Sequence, residues 1–160
     1  MIKHSGHIEN FWENSLETFV FPKKYSAGQR DTFHKNYSNN INDLPQAFDM
    51  EIPNCIKFKE ALNVTTASIS WTCIEPGQAI PIHTDAFYKL RQQNNVDVSD
   101  CLRYLIFLQD WQLGHFVEFE ELIITKWTAG DVWVFDHTSQ HCAANASNSD
   151  FITCQVNTIK

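Results

Sequence analysis

The feature that most constrains this chain is its second half, where short apolar runs rich in β-branched and aromatic residues alternate with turn signals. VTTASISWTCIE (64–75) ends at Pro76-Gly77, and AIPIHTDAFY (79–88) follows. After the polar stretch KLRQQNNVDVSD (89–100), CLRYLIFLQDW (101–111) is the longest apolar strand signal. Gly114 interrupts Trp111–Phe119, ELIITKW (121–127) runs into the Ala129-Gly130-Asp131 turn, and VWVFD (132–136) comes next. A loop is expected to carry His141 and Asn145, and FITCQVNTI (151–159) closes the series. About seven or eight short strands at roughly 8- to 12-residue spacing predict a sandwich or barrel. No long helical segment separates them, so a Rossmann sheet or a TIM barrel is excluded.

The first half reads differently. Ser5 is placed to cap a helix whose apolar face is Ile8, Phe11, Trp12, Leu16 and Phe19, and Pro22 ends that pattern. Residues 23–54 are polar and Asn-rich, which predicts an irregular wrap with at most one short helix. The chain is thus expected to be a single domain: an N-terminal extension over residues 1–62 packed on an all-β core over 63–160.

Composition narrows the function. Net charge is -7, and no basic cluster exceeds Lys23-Lys24, which argues against nucleic acid as a partner. The cysteine count is 5, with no CxxC pair, which fits neither a disulfide framework nor a thiolate zinc site. With no secretory leader or membrane-length apolar run in the sequence, a cytoplasmic setting is expected and the three Asn-x-Ser/Thr sequons read as incidental.

Three side chains offer a metal site. His83 and Asp85 lie two apart on a strand, so both project from one face. His141 follows a later strand and can approach from across a barrel. Two imidazoles and one carboxylate bind one face of an octahedral ion and leave three positions open, as in non-haem Fe(II) oxygenases, although zinc accepts the same donors. A lone His-x-Asp pair on a strand is more often a surface or ion-pair feature. Its setting between Pro76-Gly77 and the later Gly130-Asp131, His141 and Asn145 strengthens the metal reading.

The stretches PGQAIPIHTD, CLRYLIFLQDWQLGHF and WTAGDVWVFDHTSQHCAAN resemble the 2-oxoglutarate- and Fe(II)-dependent oxygenases of the cupin superfamily. The closer likeness is to the aspartyl/asparaginyl hydroxylase-like and small prolyl-hydroxylase-like members, over roughly residues 65–158. The resemblance implies a double-stranded β-helix with His83, Asp85 and His141 as ligands of Fe(II). His141 is preferred to His137 because Asn145 stands at the offset seen in the second cupin signature. Most of the family anchors the far carboxylate of 2-oxoglutarate on an Arg about ten residues beyond the distal His. Here Phe151 holds that position, and Thr153 stands where a Ser often follows.

Some branches use a cation on the strand after the His-x-Asp pair, and Arg103 resembles that alternative. A structural ion pair of Arg103 with Asp110, Glu118 or Glu120 is the competing expectation, since a guanidinium in an apolar strand needs a partner. Thr153 and Gln155 share one face and add hydrogen bonds to the cosubstrate. Tyr104 could donate only if its strand bulges. His115 is a candidate for the substrate rim or the wall near iron, Trp133 for core or pocket wall, and Asn145 for orienting the site or capping its loop. His4, His7 and His34 are expected in solvent or loops.

The activity implied is a dioxygenase that consumes O2 and 2-oxoglutarate to hydroxylate a small molecule, an amino acid or a peptide side chain, acting as a monomer or homodimer. The alternatives are a cupin-type isomerase, epimerase or oxygenase that uses no 2-oxoglutarate, and a metal-free ligand-binding β module.

Overall fold

The computed structural model describes residues 1–26, 43–120 and 122–160. Among the described residues the strands are β1 (Ile2–His7), β2 (Lys23–Ser26), β3 (Asp43–Phe48), β4 (Ala67–Ile74), β5 (Ala79–His83), β6 (Cys101–Phe107), β7 (His115–Phe119), β8 (Leu122–Ile124), β9 (Asp131–Asp136), β10 (His141–Asn145) and β11 (Phe151–Ile159). They form a sheet of seven in the order β1-β9-β6-β11-β4-β3-β2 and a sheet of four in the order β5-β10-β7-β8. From β4 onward the chain passes back and forth between the two sheets, with β7 and β8 forming a hairpin within the small one, and every pairing is antiparallel. This is the winding of a double-stranded β-helix.

The central strands β4, β6 and β11 of the large sheet are buried on both faces, which explains why they read as nearly continuous apolar runs. On β4, β6 and β11, Trp71, Cys73, Ile106, Cys154 and Val156 point away from the small sheet into one core. Ile74, Leu105, Phe107 and Phe151 point between the sheets into the other, with Val117, Phe119 and Phe135. The outer core is capped by helix α2 (Cys55–Leu62), whose Phe58 stacks on Trp12 at 5.3 Å. Trp12 is fully buried and donates its indole N–H to the Leu108 carbonyl at 2.9 Å. Complete burial of each such aromatic contributes roughly 2–3 kcal/mol.

The N-terminal extension differs from the sequence expectation. Ser5 lies inside β1, which adds to the edge of β9, and helix α1 is a single turn, Glu13–Leu16. The predicted apolar face is nonetheless real: Ile8, Phe11, Trp12, Leu16 and Phe19 all join the outer core. A sheet edge offers β1 more backbone hydrogen bonds than a marginal short helix supplies for itself. The described parts of 23–54 are likewise not an irregular wrap. β2 and β3 extend the large sheet beyond β4, while residues 27–42 lie outside the described residues.

Two further differences concern local structure. The polar stretch 89–100 contains helix α3 (Tyr88–Asn94), anchored by buried Leu90. The segment expected to loop through His141 and Asn145 is strand β10, paired on both sides with β5 and β7.

Gly130 marks where the extension meets the core. Its φ of +100° suits a residue without a side chain, its N–H donates to Phe107 and its carbonyl accepts from Ile8. A Cβ there would strike the Ile8 carbonyl and the His7 ring. No helix among the described residues is long and apolar enough to cross a membrane.

Candidate metal centre

The small sheet carries the ligands. His83 is the last residue of β5 and pairs directly with His141, the first residue of β10. Asp85 lies two residues beyond the strand end and folds back over both imidazoles. The Asp85 carboxylate is 3.7 Å from His83 Nε2 through Oδ1 and 3.8 Å from His141 Nε2 through Oδ2. One donor atom from each of the three lies within 4.8 Å of the others, a spread that a single divalent ion can bridge.

The second nitrogen of each ring is already committed. His83 Nδ1 donates to the Pro81 carbonyl at 2.8 Å and His141 Nδ1 to the Ser139 carbonyl at 3.0 Å. Those bonds fix the tautomer that leaves both Nε2 lone pairs facing inward. Burial, the largest influence, holds the His141 pKa down at about 4 despite the opposing pull of Asp85. His141 is therefore a neutral imidazole at pH 7. Asp85 Oδ2 is buried without a hydrogen-bond partner. A buried carboxylate oxygen with no donor is costly, and a cation between two imidazole lone pairs and that oxygen removes the cost. The residues present thus fit a divalent metal.

The space before the ligands is bounded opposite by the large sheet, which presents an inward polar cluster. Thr72 and Ser70 both donate to Gln155 Oε1 at 2.9 Å, Gln155 donates to Thr153 Oγ1 at 2.6 Å, and Gln46 donates to Thr72 Oγ1 at 2.9 Å. These residues and the three ligands line one cavity, together with Ile80, Val117, Ala143, Phe135 and Phe151. Gln46 and its place on β3 were not foreseen, because the polar sequence around it carried no strand period. Phe151 forms part of the cavity wall. Behind it Phe107, Trp127 and His115 are stacked, with Phe107–Trp127 centroids 3.9 Å apart and His115–Phe151 4.8 Å apart.

The residues singled out in the sequence separate into two groups. Thr153, Gln155 and Arg103 line the cavity with His83, Asp85 and His141. Arg103 reaches the metal ligands: its Nη1 lies 2.9 Å from Asp85 Oδ1, an acidic partner other than the expected Asp110, Glu118 or Glu120. Tyr104 lies on the opposite face of β6 and packs in the outer core, because the strand does not bulge there. His115 is not at a rim. It is buried in the aromatic stack, and its Nε2 bonds to Ser147 Oγ at 2.8 Å, while burial pushes its pKa down.

Trp133 pairs with Leu105 and meets the His4 ring at 5.3 Å without bordering the cavity. Asn145 is opposite His115 at the other end of β10 from His141, where it closes a turn. His137 falls outside the ligand cluster. His7 is exposed and pairs with Asp131, and His34 is outside the described residues.

No protein-family model matches the sequence, and no curated protein matches it. Solved structures do match in fold. A prolyl-4-hydroxylase from Pseudomonas putida aligns over 99% of this chain and 92% of its own, with a TM-score of 0.63 at 11% identity. The non-haem, α-ketoglutarate-dependent carbocyclase SnoK of nogalamycin biosynthesis aligns over 78% of this chain and 66% of its own, with a TM-score of 0.55 at 13% identity. The fold is a cupin-type double-stranded β-helix with a short N-terminal extension, bearing a two-histidine, one-aspartate facial triad.

Proposed function

We propose that the protein is a non-haem Fe(II) dioxygenase that uses 2-oxoglutarate as cosubstrate and hydroxylates a small molecule, an amino acid or a peptide side chain. The observation that carries this reading is the triad itself: two imidazoles with Nε2 facing inward and an otherwise unpartnered carboxylate oxygen converge at the wall of a cavity. Three protein donors leave coordination positions for other ligands, which a closed structural site does not. The two structures named above share the fold, and one is described as a prolyl-4-hydroxylase and the other as a non-haem, α-ketoglutarate-dependent carbocyclase, which is in keeping with the proposal.

His83, Asp85 and His141 would hold the metal, which when bound supplies the activation of O2 and the redox chemistry. The overall reaction consumes the C–H substrate, O2 and 2-oxoglutarate and yields the alcohol, succinate and CO2. The chain's own contribution is to bind, orient and exclude water. Arg103 places positive charge beside the ligands, where the 2-oxo acid end of an anionic cosubstrate is attracted. The far carboxylate is assigned to the hydroxyl and amide donors of Thr153, Gln155 and Gln46, which retain unused hydrogens after their mutual bonds. Ile74, Ile80, Val117 and Phe135 keep the space between apolar and dry, which strengthens every polar contact within it.

Anaerobic addition of Fe(II) and then 2-oxoglutarate is expected to produce a visible charge-transfer band, and admission of O2 to release succinate. Absence of the band from folded, iron-loaded protein refutes the 2-oxoglutarate assignment. One observation favours a cupin metalloenzyme without 2-oxoglutarate: Arg103 is the one cationic side chain among the described residues lining the cavity. Iron binding without the band selects that reading.

A further inference from the structure

We infer that Arg103 is a positioning residue for Asp85, which it clamps through Oδ1 so that Oδ2 alone is offered to the metal. The inference rests on the metal-binding part of the proposal above and not on the identity of any cosubstrate.

The two oxygens of Asp85 have different surroundings. Oδ1 accepts from Arg103 Nη1 at 2.9 Å, whereas Oδ2 is buried without a partner and is the oxygen nearer His141. A carboxylate that wraps an ion with both oxygens must share Oδ1 with the guanidinium. One held at Oδ1 turns a single oxygen inward. Arg103 is itself braced for this task. Its Nε donates to Asn157 Oδ1 at 2.8 Å, Asn157 reaches on to Ser68, and the guanidinium lies 5.7 Å from the centre of the Phe87 ring. Phe87 is two residues past Asp85, so the turn that carries the ligand also covers the arginine. A planar, forked cation bonded on two edges cannot rotate away as a lysine ammonium could.

The arrangement has an electrostatic cost and a benefit. A fixed positive charge one carboxylate away repels an incoming divalent ion, which lowers affinity. In return Asp85, buried and otherwise unpaired, has a counter-ion before the metal arrives, so the empty site stays folded with its ligand aimed. Arg103 thus gives up metal affinity for a ligand of fixed orientation and single-oxygen denticity.

The test uses Co(II), whose visible spectrum reports coordination number, on the whole chain with Arg103→Gln and Arg103→Lys. Loss of the charge in Arg103→Gln should tighten Co(II) binding by at least about tenfold, because the repulsion at this separation is removed. Its absorption should weaken as Asp85 becomes free to bind through both oxygens. Arg103→Lys keeps the charge and should return the affinity to near the wild-type value. If Arg103→Gln is unfolded without metal, the expected result is refolding on Co(II) addition with a larger rise in Tm than the wild type shows. Equal or weaker Co(II) binding by Arg103→Gln, or a spectrum identical to the wild type in both variants, overturns the clamp. Failure of the wild-type protein to bind Co(II), Mn(II) or Fe(II) at all overturns the metal reading instead.

Discussion

Replacing Asn145 with Ala separates the architecture of the barrel from its metal chemistry. The Asn145 amide donates to the carbonyls of Ile74 and Ser149, both at 2.7 Å, and its oxygen accepts from the Ser147 N–H at 2.9 Å and the Ser147 hydroxyl at 2.7 Å. It is 1% exposed, so water cannot replace those partners. Its backbone also joins the Gly77 turn, accepting from Gly77 at 2.8 Å and donating to Gln78 at 3.0 Å. The side chain thereby ties the end of β4 to the turn after β10, while the backbone of the same residue holds the turn into β5. Losing four bonds at a net contribution of about 1 kcal/mol each, with Ser147 free to find water, leaves a destabilisation of about 3 kcal/mol. For a domain of this size that corresponds to a fall in Tm of roughly 6–12 °C.

The ligand His141 is four residues along the same strand, roughly 13 Å away. Asn145→Ala is therefore expected to keep its Mn(II) or Co(II) affinity at temperatures where it is folded. Calorimetric melting and metal titration of the same preparation give both numbers. An unchanged Tm with affinity lowered tenfold or more would show that Asn145 acts on the metal centre and that its structural assignment is wrong.

Other perturbations address the site directly. Asp85→Ala removes the sole carboxylate of the triad and should reduce divalent-metal affinity by at least about a hundredfold, read by titration calorimetry. The metal-free protein should lose stability as pH falls from about 6.5 toward about 4. Over that window an unfolded-state imidazole takes a proton that buried His141, held at about 4, refuses, and urea melts should show a loss approaching about 3 kcal/mol with no such slope above pH 7. Saturating the wild-type protein with Mn(II) at a hundred times its Kd should restore about 2.7 kcal/mol, and a chelator should remove it. Thr153→Val combined with Gln155→Leu should raise the 2-oxoglutarate concentration needed for half-maximal charge-transfer absorption about tenfold or more, with iron affinity unchanged. An unaltered titration would move the far carboxylate elsewhere.

The strands from β4 onward were legible because each buries a defined face, so apolar runs and Gly or Pro turns mark their limits. The His-x-Asp spacing was legible for a related reason: a period of two sets both side chains on one side, and Asp85 keeps that side although it lies past the strand end. β10 was read as a loop because His-Cys-Ala-Ala-Asn lacks bulky β-formers. It is a strand because small residues fit between two neighbours with which it shares all its backbone bonds.

The N-terminal half was misread where long-range pairing decided the outcome. β1 finds its partner in β9, and β3 finds its partner in β4, so local propensity carried no trace of either. Arg103 shows the limit of single-position reasoning. Its place in an apolar strand called for a partner, but only the course of the Thr84–Phe87 segment brings Asp85 within its reach.

The aromatic stack behind Phe151 gives the cavity a backstop of flat rings in mutual contact. Such rings part only by giving up their contacts with one another, so that wall yields little and sets a fixed size for whatever lies beside Thr153 and Gln155.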